Sequence, residues 1–184
     1  KGQRVLIEAL AQLPDRQIRC LLVGSDQGRD GFRKSLVELA QRLNVEDVVH
    51  IVGECRDMPA AYMLADVVVS ASTDPEGFGR VMVEAQAMGR PIIASDHGAS
   101  REIVRHGNTG WLFPPGDVRT LSESIAHAIQ LSVEHRQRIA EEAMANAREN
   151  FAVTRMCNAT LDVYRELLNE PVANASIGTR PAGA

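Results

Sequence analysis

Apolar positions along this chain follow two alternating periods. The opening segment, KGQRVLIEALAQLP, repeats its apolar side chains at the three- and four-residue spacing of one helix face. The next segment, QIRCLLVG, is a short apolar run that ends in Gly24 and predicts a buried parallel strand. Helical and strand-like patterns continue to alternate along most of the remaining chain, so the pattern predicts an α/β protein.

The same two periods predict four further strands and seven further helices. The strand patterns are DVVHIVG (47–53), DVVVSAS (66–72), RPIIAS (90–95) and TGWLFPPGD (109–117). The helical patterns cover residues 31–44, 57–66, 78–89, 98–107, 118–131, 132–149 and 153–169. Right-handed crossovers between such strands cover both faces of a parallel sheet. We therefore predict a three-layer α/β/α fold with a doubly wound parallel sheet.

The pattern also predicts the domain organisation. Residues 1–169 form one domain, and residues 170–184, which are mostly small and polar, are expected to be a disordered tail. The chain enters a helix almost at its first residue, with no strand before it for that helix to pack against. We therefore expect the chain to be a fragment that lacks the first strand of its sheet.

Composition narrows the classes of function. The net charge of −4 gives no basic surface for nucleic acid, so a phosphate-bearing partner must be held by backbone amides and single cations. The three cysteines are odd in number and scattered, which is typical of reduced thiols in a cytoplasmic protein. No apolar run approaches the roughly 18 residues of a membrane span, so none is predicted in this chain.

The most informative stretch is STDPEGFGRVMVEAQAMGRPIIAS, which follows the third predicted strand. Gly77 and Gly79 allow the backbone to approach a ligand closely or to take positive φ, and the helix behind them offers free amides to an anion. Glu76 precedes that helix and Glu84 lies inside it, and eight helical residues advance roughly 12 Å. That length matches an extended sugar–diphosphate–ribose, whose hydroxyls carboxylates bind well. The alternative is that both acids are solvated surface charges.

A family resemblance favours the first interpretation. Retaining glycosyltransferases of family four, which have the GT-B fold, carry a donor-site signature that resembles PEGFGRVMVEAQAMGRPIIASDHGASREIV. Further resemblances to the family are found in KGQRVLIEAL, VVHIVGECRDMPAAYMLADVVVSAS, HGNTGWLFPPGDVRTLSESI and VYREL. The resemblance covers residues 1–169 and implies the Rossmann-like, C-terminal half of a GT-B enzyme, which binds the nucleotide-sugar donor.

The resemblance implies a role for each matching residue. Lys1 would neutralise the donor diphosphate, Glu76 would bind the hydroxyls of the transferred sugar, and Glu84 would bind the ribose. We therefore predict Lys1 and Glu76 as the catalytic residues. The other predicted donor-binding residues are Gly77, Phe78, Gly79 and Arg80 beside the sugar and phosphates, and Gly24, Ser25, Gly53, Cys55 and Arg56 around the nucleobase.

The implied reaction moves a hexose-type sugar from a nucleotide-diphosphate sugar, UDP- or GDP-linked, to a glycan or lipid-linked acceptor. It requires no cofactor and no metal ion. The sequence departs from the family in lacking the arginine that normally precedes Lys1, and Arg80 occupies a usually apolar position. The acceptor-binding domain is also missing, so we expect the 184 residues alone to be inactive.

Two other functions remain possible from the sequence. A sugar-nucleotide epimerase of a related fold would normally use further histidine and acid contacts. A non-catalytic α/β module would bind a nucleotide without acting on a sugar, and the intact Lys1, Glu76 and Glu84 argue against it. His97, which follows the fourth strand, is expected either to contact phosphate or sugar or to bond to its own loop.

Overall fold

A computed structural model describes residues 1–14, 17–25, 28 and 30–169. The strands are β1 Cys20–Val23, β2 Val49–Val52, β3 Val68–Ser70, β4 Ile92–Ser95 and β5 Gly110–Phe113. The helices are α1 Gln3–Leu10, α2 Asp30–Arg42, α3 Met58–Leu64, α4 Arg80–Ala87, α5 Ser100–Ile103, α6 Val118–Ile129, α7 Val133–Asn150 and α8 Val153–Asn169. Each predicted element is confirmed, mostly with shorter bounds. The tail predicted for residues 170–184 lies outside the described residues.

All the strand pairs in the described chain are parallel, as predicted. β1 pairs with β2 from Cys20↔Val49 to Val23↔Val52. In the second group, β4 lies between β3 and β5. The described strands therefore form two separate parallel groups, β1–β2 and β3–β4–β5. This division differs from the single sheet that the alternating pattern predicts, while the α/β class itself is confirmed.

The main hydrophobic core lies under helices α1, α2 and α6. Ile7, Leu39, Phe113 and Leu121 are almost fully buried there, because the apolar stripes of these helices face the strands. Helix α1 packs against α6 and α2, which fixes its first residue relative to the ends of the strands. The opposite face of β1 is apolar but open, since Leu21 is 52% exposed.

A second, smaller core holds α4, the helix that carries Glu84. Met82 and Ala85 are fully buried against Ile92 and Ile103. Helix α4 also packs along α7. The helix is therefore held on several sides before any ligand binds.

A buried polar network joins α4 to α7. The side-chain amide of Asn146 donates to Oε1 of Gln86 at 2.8 Å and to the carbonyl of Ile103 at 3.0 Å. Gln86 donates to the same carbonyl at 3.0 Å. Both side chains are nearly completely buried, and such groups are costly unless they are hydrogen-bonded. The network therefore fixes the position of α4 relative to α7.

Asn146→Ala is expected to lower the free energy of unfolding by about 1–3 kcal/mol, because it leaves the buried Oε1 of Gln86 without its donor. Denaturant unfolding measures the change. The matched control is Gln137→Ala on the same helix, whose exposed bond to Glu141 should contribute little. Equal effects of the two substitutions would contradict the role given to the network.

Candidate functional site

The loop between β3 and α4 forms the centre of the site. Ser72 is buried where this loop begins, and its hydroxyl donates to Oε1 of Glu76 at 2.6 Å. The carbonyl of Glu76 accepts from the amide of Ala99 at 3.1 Å, which ties the loop to the one after β4. A methyl group added at Gly98 would lie 2.8 Å from that carbonyl oxygen, so the two loops can approach this closely only with glycine there.

The two glycines that flank Phe78 have different roles. Gly79 caps α4 with φ 72°, and an added methyl group would lie 2.1 Å from Cε of Met82. The positive φ at this position therefore requires glycine, whatever ligand binds. Gly77 has no atom near the position of an added methyl group, so space stays open at the entrance to α4. The amino end of α4, where helix amides favour an anion, follows directly.

The predicted catalytic residues, Lys1 and Glu76, are in contact although 75 positions separate them. The Lys1 ammonium donates to Oε1 of Glu76, which also accepts from Ser72. These two donors hold the pKa of Glu76 below its ordinary value, with Lys1 the larger cause, so this carboxylate is ionised at neutral pH. Lys1 and Glu76 thus form an ion pair beside the loop that contains Gly77 and Gly79.

Gly2 is a residue of the site that the sequence interpretation missed. It caps α1 with φ 74°, and an added methyl group would lie 1.6 Å from the carbonyl oxygen of Ala71. The start of α1 therefore lies directly against the chain that leaves β3, and this contact brings Lys1 to Glu76. The sequence contains little signal for this contact, because glycine is a common residue at a helix N-cap.

Two side chains in the described part of the chain contact the carboxylate of Glu84. Arg80 contacts Oε1 through Nε at 3.1 Å and Nη2 at 2.9 Å. The hydroxyl of Tyr62 donates to Oε2 at 2.8 Å. Tyr62 lies on α3, and the sequence interpretation missed it because an aromatic residue in an apolar run is typical of a core position.

The residues predicted around the nucleobase lie at the carboxyl ends of β1 and β2. The amide of Gly24 donates to the carbonyl of Gly53 at 3.2 Å, which joins the two turns, and Ser25 follows at the surface. Cys55 is half-buried and donates to the carbonyl of Asp57 at 3.3 Å, whereas Arg56 is exposed. The structure therefore brings both turns together at the edge of the sheet where β1 and β2 end.

His97 bonds to the neighbouring loop, which neither sequence-based expectation included. Its Nε2 lies 2.9 Å from the carbonyl oxygen of Ser72. A carbonyl only accepts, so Nε2 carries the proton in this contact. His97 thereby supports the backbone of Ser72, whose hydroxyl holds Glu76.

Within the described ranges, no group of three or more His, Cys, Asp or Glu side chains is arranged to hold a metal ion. No helix in that part of the chain is long and apolar enough to cross a membrane.

Comparison with known proteins identifies the family. The profile described as "Glycosyl transferases group 1" matches residues 1–145. The chain belongs to the group 1 glycosyltransferases. D-inositol 3-phosphate glycosyltransferase of Corynebacterium glutamicum is 31% identical over 183 residues, which cover 96% of this chain and 42% of that relative.

Solved structures of glycosyltransferases share the fold. One from Rickettsia africae has a TM-score of 0.88 and 31% identity, over 93% of this chain and 45% of that one. Anabaena Alr3699/HepE, solved in complex with UDP-glucose, has a TM-score of 0.84 and 35% identity, over 90% of this chain and 45% of that one. The predicted family and GT-B fold are confirmed. This group 1 glycosyltransferase chain spans less than half the length of these relatives.

Proposed function

We propose that this chain is the donor-binding half of a retaining glycosyltransferase. The complete enzyme moves a hexose-type sugar from a nucleotide-diphosphate sugar to a glycan or lipid-linked acceptor, without a metal ion. The contact between Lys1 and Glu76 at the amino end of α4 carries the proposal. It unites a cation, a sugar-binding carboxylate and free helix amides at one point.

The chemistry follows from the charges at that point. As the sugar leaves, negative charge builds up on the diphosphate, and Lys1 and the first amides of α4 stabilise it. Lys1 is 68% exposed, so it can turn from Glu76 to the phosphates when the donor enters. Glu76 is then held by Ser72 alone and has lone pairs for the sugar hydroxyls.

The donor extends from this point in two directions. Glu84 binds the ribose, and the turns at Gly24–Ser25 and Gly53–Arg56 surround the base. The complex of Anabaena HepE with UDP-glucose supports a UDP-linked donor, and a GDP-linked donor is the alternative. The non-catalytic module differs from this proposal in one testable respect, because it would bind a nucleotide without preferring any attached sugar.

A further strand and a second domain complete the proposed enzyme. The strand precedes Lys1 and fills the gap between β1 and β3, which would complete one parallel sheet. The apolar face at Leu21 and Val23, now open, is typical of a parallel strand that is covered on both faces. The acceptor-binding domain lies further upstream, and the enzyme works in the cytoplasm, where free thiols persist.

Glu84→Ala is expected to weaken UDP binding about tenfold, because a hydrogen bond to a charged group contributes roughly 1.5–3 kcal/mol. Calorimetry with UDP, GDP and ADP measures the affinity and identifies the preferred base. Glu123→Ala is the matched control, since Glu123 also pairs with an arginine four residues away but lies on α6. Unchanged affinity after Glu84→Ala would overturn the assignment of Glu84 to the ribose.

A further inference from the structure

The phenol of Tyr62 is a buried polar group whose described partner is Glu84. The ring is 6% exposed and belongs to the core around Met82 and Ile92. Its hydroxyl reaches out of this core to Oε2 of Glu84 at 2.8 Å. A phenol in an apolar core needs a partner, and here the partner is a carboxylate predicted to bind the donor.

Helix α3 holds the phenol in a fixed direction. Asp57 caps this helix by accepting from the amide of Ala60 at 3.0 Å, and Pro59 lies in its first turn. Burial raises the pKa of the Tyr62 phenol, and its hydrogen bond to Glu84 raises it further. The hydroxyl therefore keeps its proton and remains a donor across the physiological range.

The other oxygen of Glu84 is held less firmly. Nε and Nη2 of Arg80 both contact Oε1, so the two donors occupy that one oxygen. The Arg80 side chain is 82% exposed, and exposed pairs at this spacing contribute little. A pair of ribose hydroxyls can therefore displace Arg80, whereas the buried phenol stays.

We infer that Tyr62 is a positioning residue that orients the carboxylate of Glu84 toward the ribose hydroxyls of the donor. This inference rests on the proposed function, in which Glu84 binds the ribose. Tyr62 uses one lone pair of Oε2 and leaves the second for the 2′ hydroxyl, while Oε1 accepts from the 3′ hydroxyl after Arg80 moves. Without the phenol, Glu84 follows Arg80 toward solvent and loses this orientation.

Tyr62→Phe in the complete protein tests the inference, because it keeps the ring and removes only the hydroxyl. Calorimetry with UDP and 2′-deoxy-UDP gives the affinity that depends on the ribose hydroxyl. We expect Tyr62→Phe to weaken UDP binding about five- to tenfold and 2′-deoxy-UDP binding less than about twofold. A merely structural role would weaken both ligands equally, and that result would overturn the inference.

Two matched variants complete the test. Arg119→Ala removes an exposed arginine that pairs with Glu123 on α6, outside the site, and should change UDP affinity by less than about twofold. Tyr62→Phe should have no further effect when Glu84 is already alanine, since it acts through that residue. A further loss in the double variant would contradict the inference.

The outcomes separate this inference from the proposed function. If the unaltered protein binds no nucleotide, or Glu84→Ala has no effect, the proposed function fails. If Glu84→Ala removes the preference for UDP over 2′-deoxy-UDP and Tyr62→Phe does not, only the inference about Tyr62 fails.

A second measurement serves if Tyr62→Phe does not fold. Fluorotyrosine incorporated only at position 62 of the complete protein gives one fluorine signal, from Tyr62. We expect UDP to shift this signal more than 2′-deoxy-UDP does. Equal shifts from the two ligands would overturn the inference.

Discussion

Glu76→Gln is expected to reduce sugar transfer by the complete enzyme at least about a hundredfold, the size of effect seen when one transition-state contact is removed. The amide of glutamine accepts through one oxygen only and carries no charge to pair with Lys1. UDP affinity should change much less, because Glu76 contacts the sugar and not the nucleotide. Steady-state kinetics gives kcat and KM for the donor, and calorimetry gives the UDP affinity.

Glu123→Gln is the control for this substitution. It makes the same change in an exposed glutamate on α6, and the kinetics of this variant should match those of the unaltered enzyme. Transfer by Glu76→Gln within about threefold of the unaltered rate would remove Glu76 from the reaction, since threefold corresponds to less than 1 kcal/mol.

Lys1→Ala is expected to weaken UDP binding about tenfold or more and also to lower the rate of sugar transfer. The ammonium contacts Glu76, which precedes the amino end of α4, where the diphosphate is proposed to bind. Uridine has no phosphate, so its affinity should not change. Competition calorimetry with UDP and uridine measures the two effects separately.

The chain provides a matched control for Lys1. Its other lysine, Lys34, lies on α2, and its ammonium is 3.9 Å from Glu38. Lys34→Ala should leave the affinity for UDP unchanged. If Lys1→Ala lowered the affinities for UDP and for uridine equally, the site would be distorted, and the role of Lys1 at the diphosphate would be wrong.

The order of strands and helices could be predicted from the sequence because each element carries a strong local period. The helix that begins beside Gly79 is an example, since its apolar spacing, the glycine before it and Gly89 after it all agree. Bounds were less predictable because residues near strand ends, such as Ser72, also serve the loops. Lys1 and Glu76 were predicted as catalytic residues from a family resemblance, and their roles stay predictions.

The residues that the sequence interpretation missed are those whose roles depend on distant contacts. Tyr62 bonds to a residue 22 positions away, and nothing in its local pattern distinguishes it from a core aromatic. His97 bonds to Ser72 from the neighbouring loop, and Ser72 holds Glu76 within its own loop. Position 2 must be glycine because the carbonyl oxygen of Ala71, just after β3, lies where a side chain would be. The local hydrophobic pattern does not predict contacts between residues far apart in the sequence, because only the packing of the folded chain brings those residues together.

The predicted additional strand would account for the divided sheet. It would join the two groups β1–β2 and β3–β4–β5 into one parallel sheet. That expectation stays a prediction. It also explains why an apolar side chain such as Leu21 is left open.

The most direct test of the central claim is a structure of the complete protein with UDP-glucose bound. We expect the Glu76 carboxylate within about 3 Å of a sugar hydroxyl, the Glu84 carboxylate equally close to the ribose, and Lys1 turned to the diphosphate. A donor bound elsewhere, or one seated with both carboxylates more than about 4 Å from any of its hydroxyls, would contradict the account.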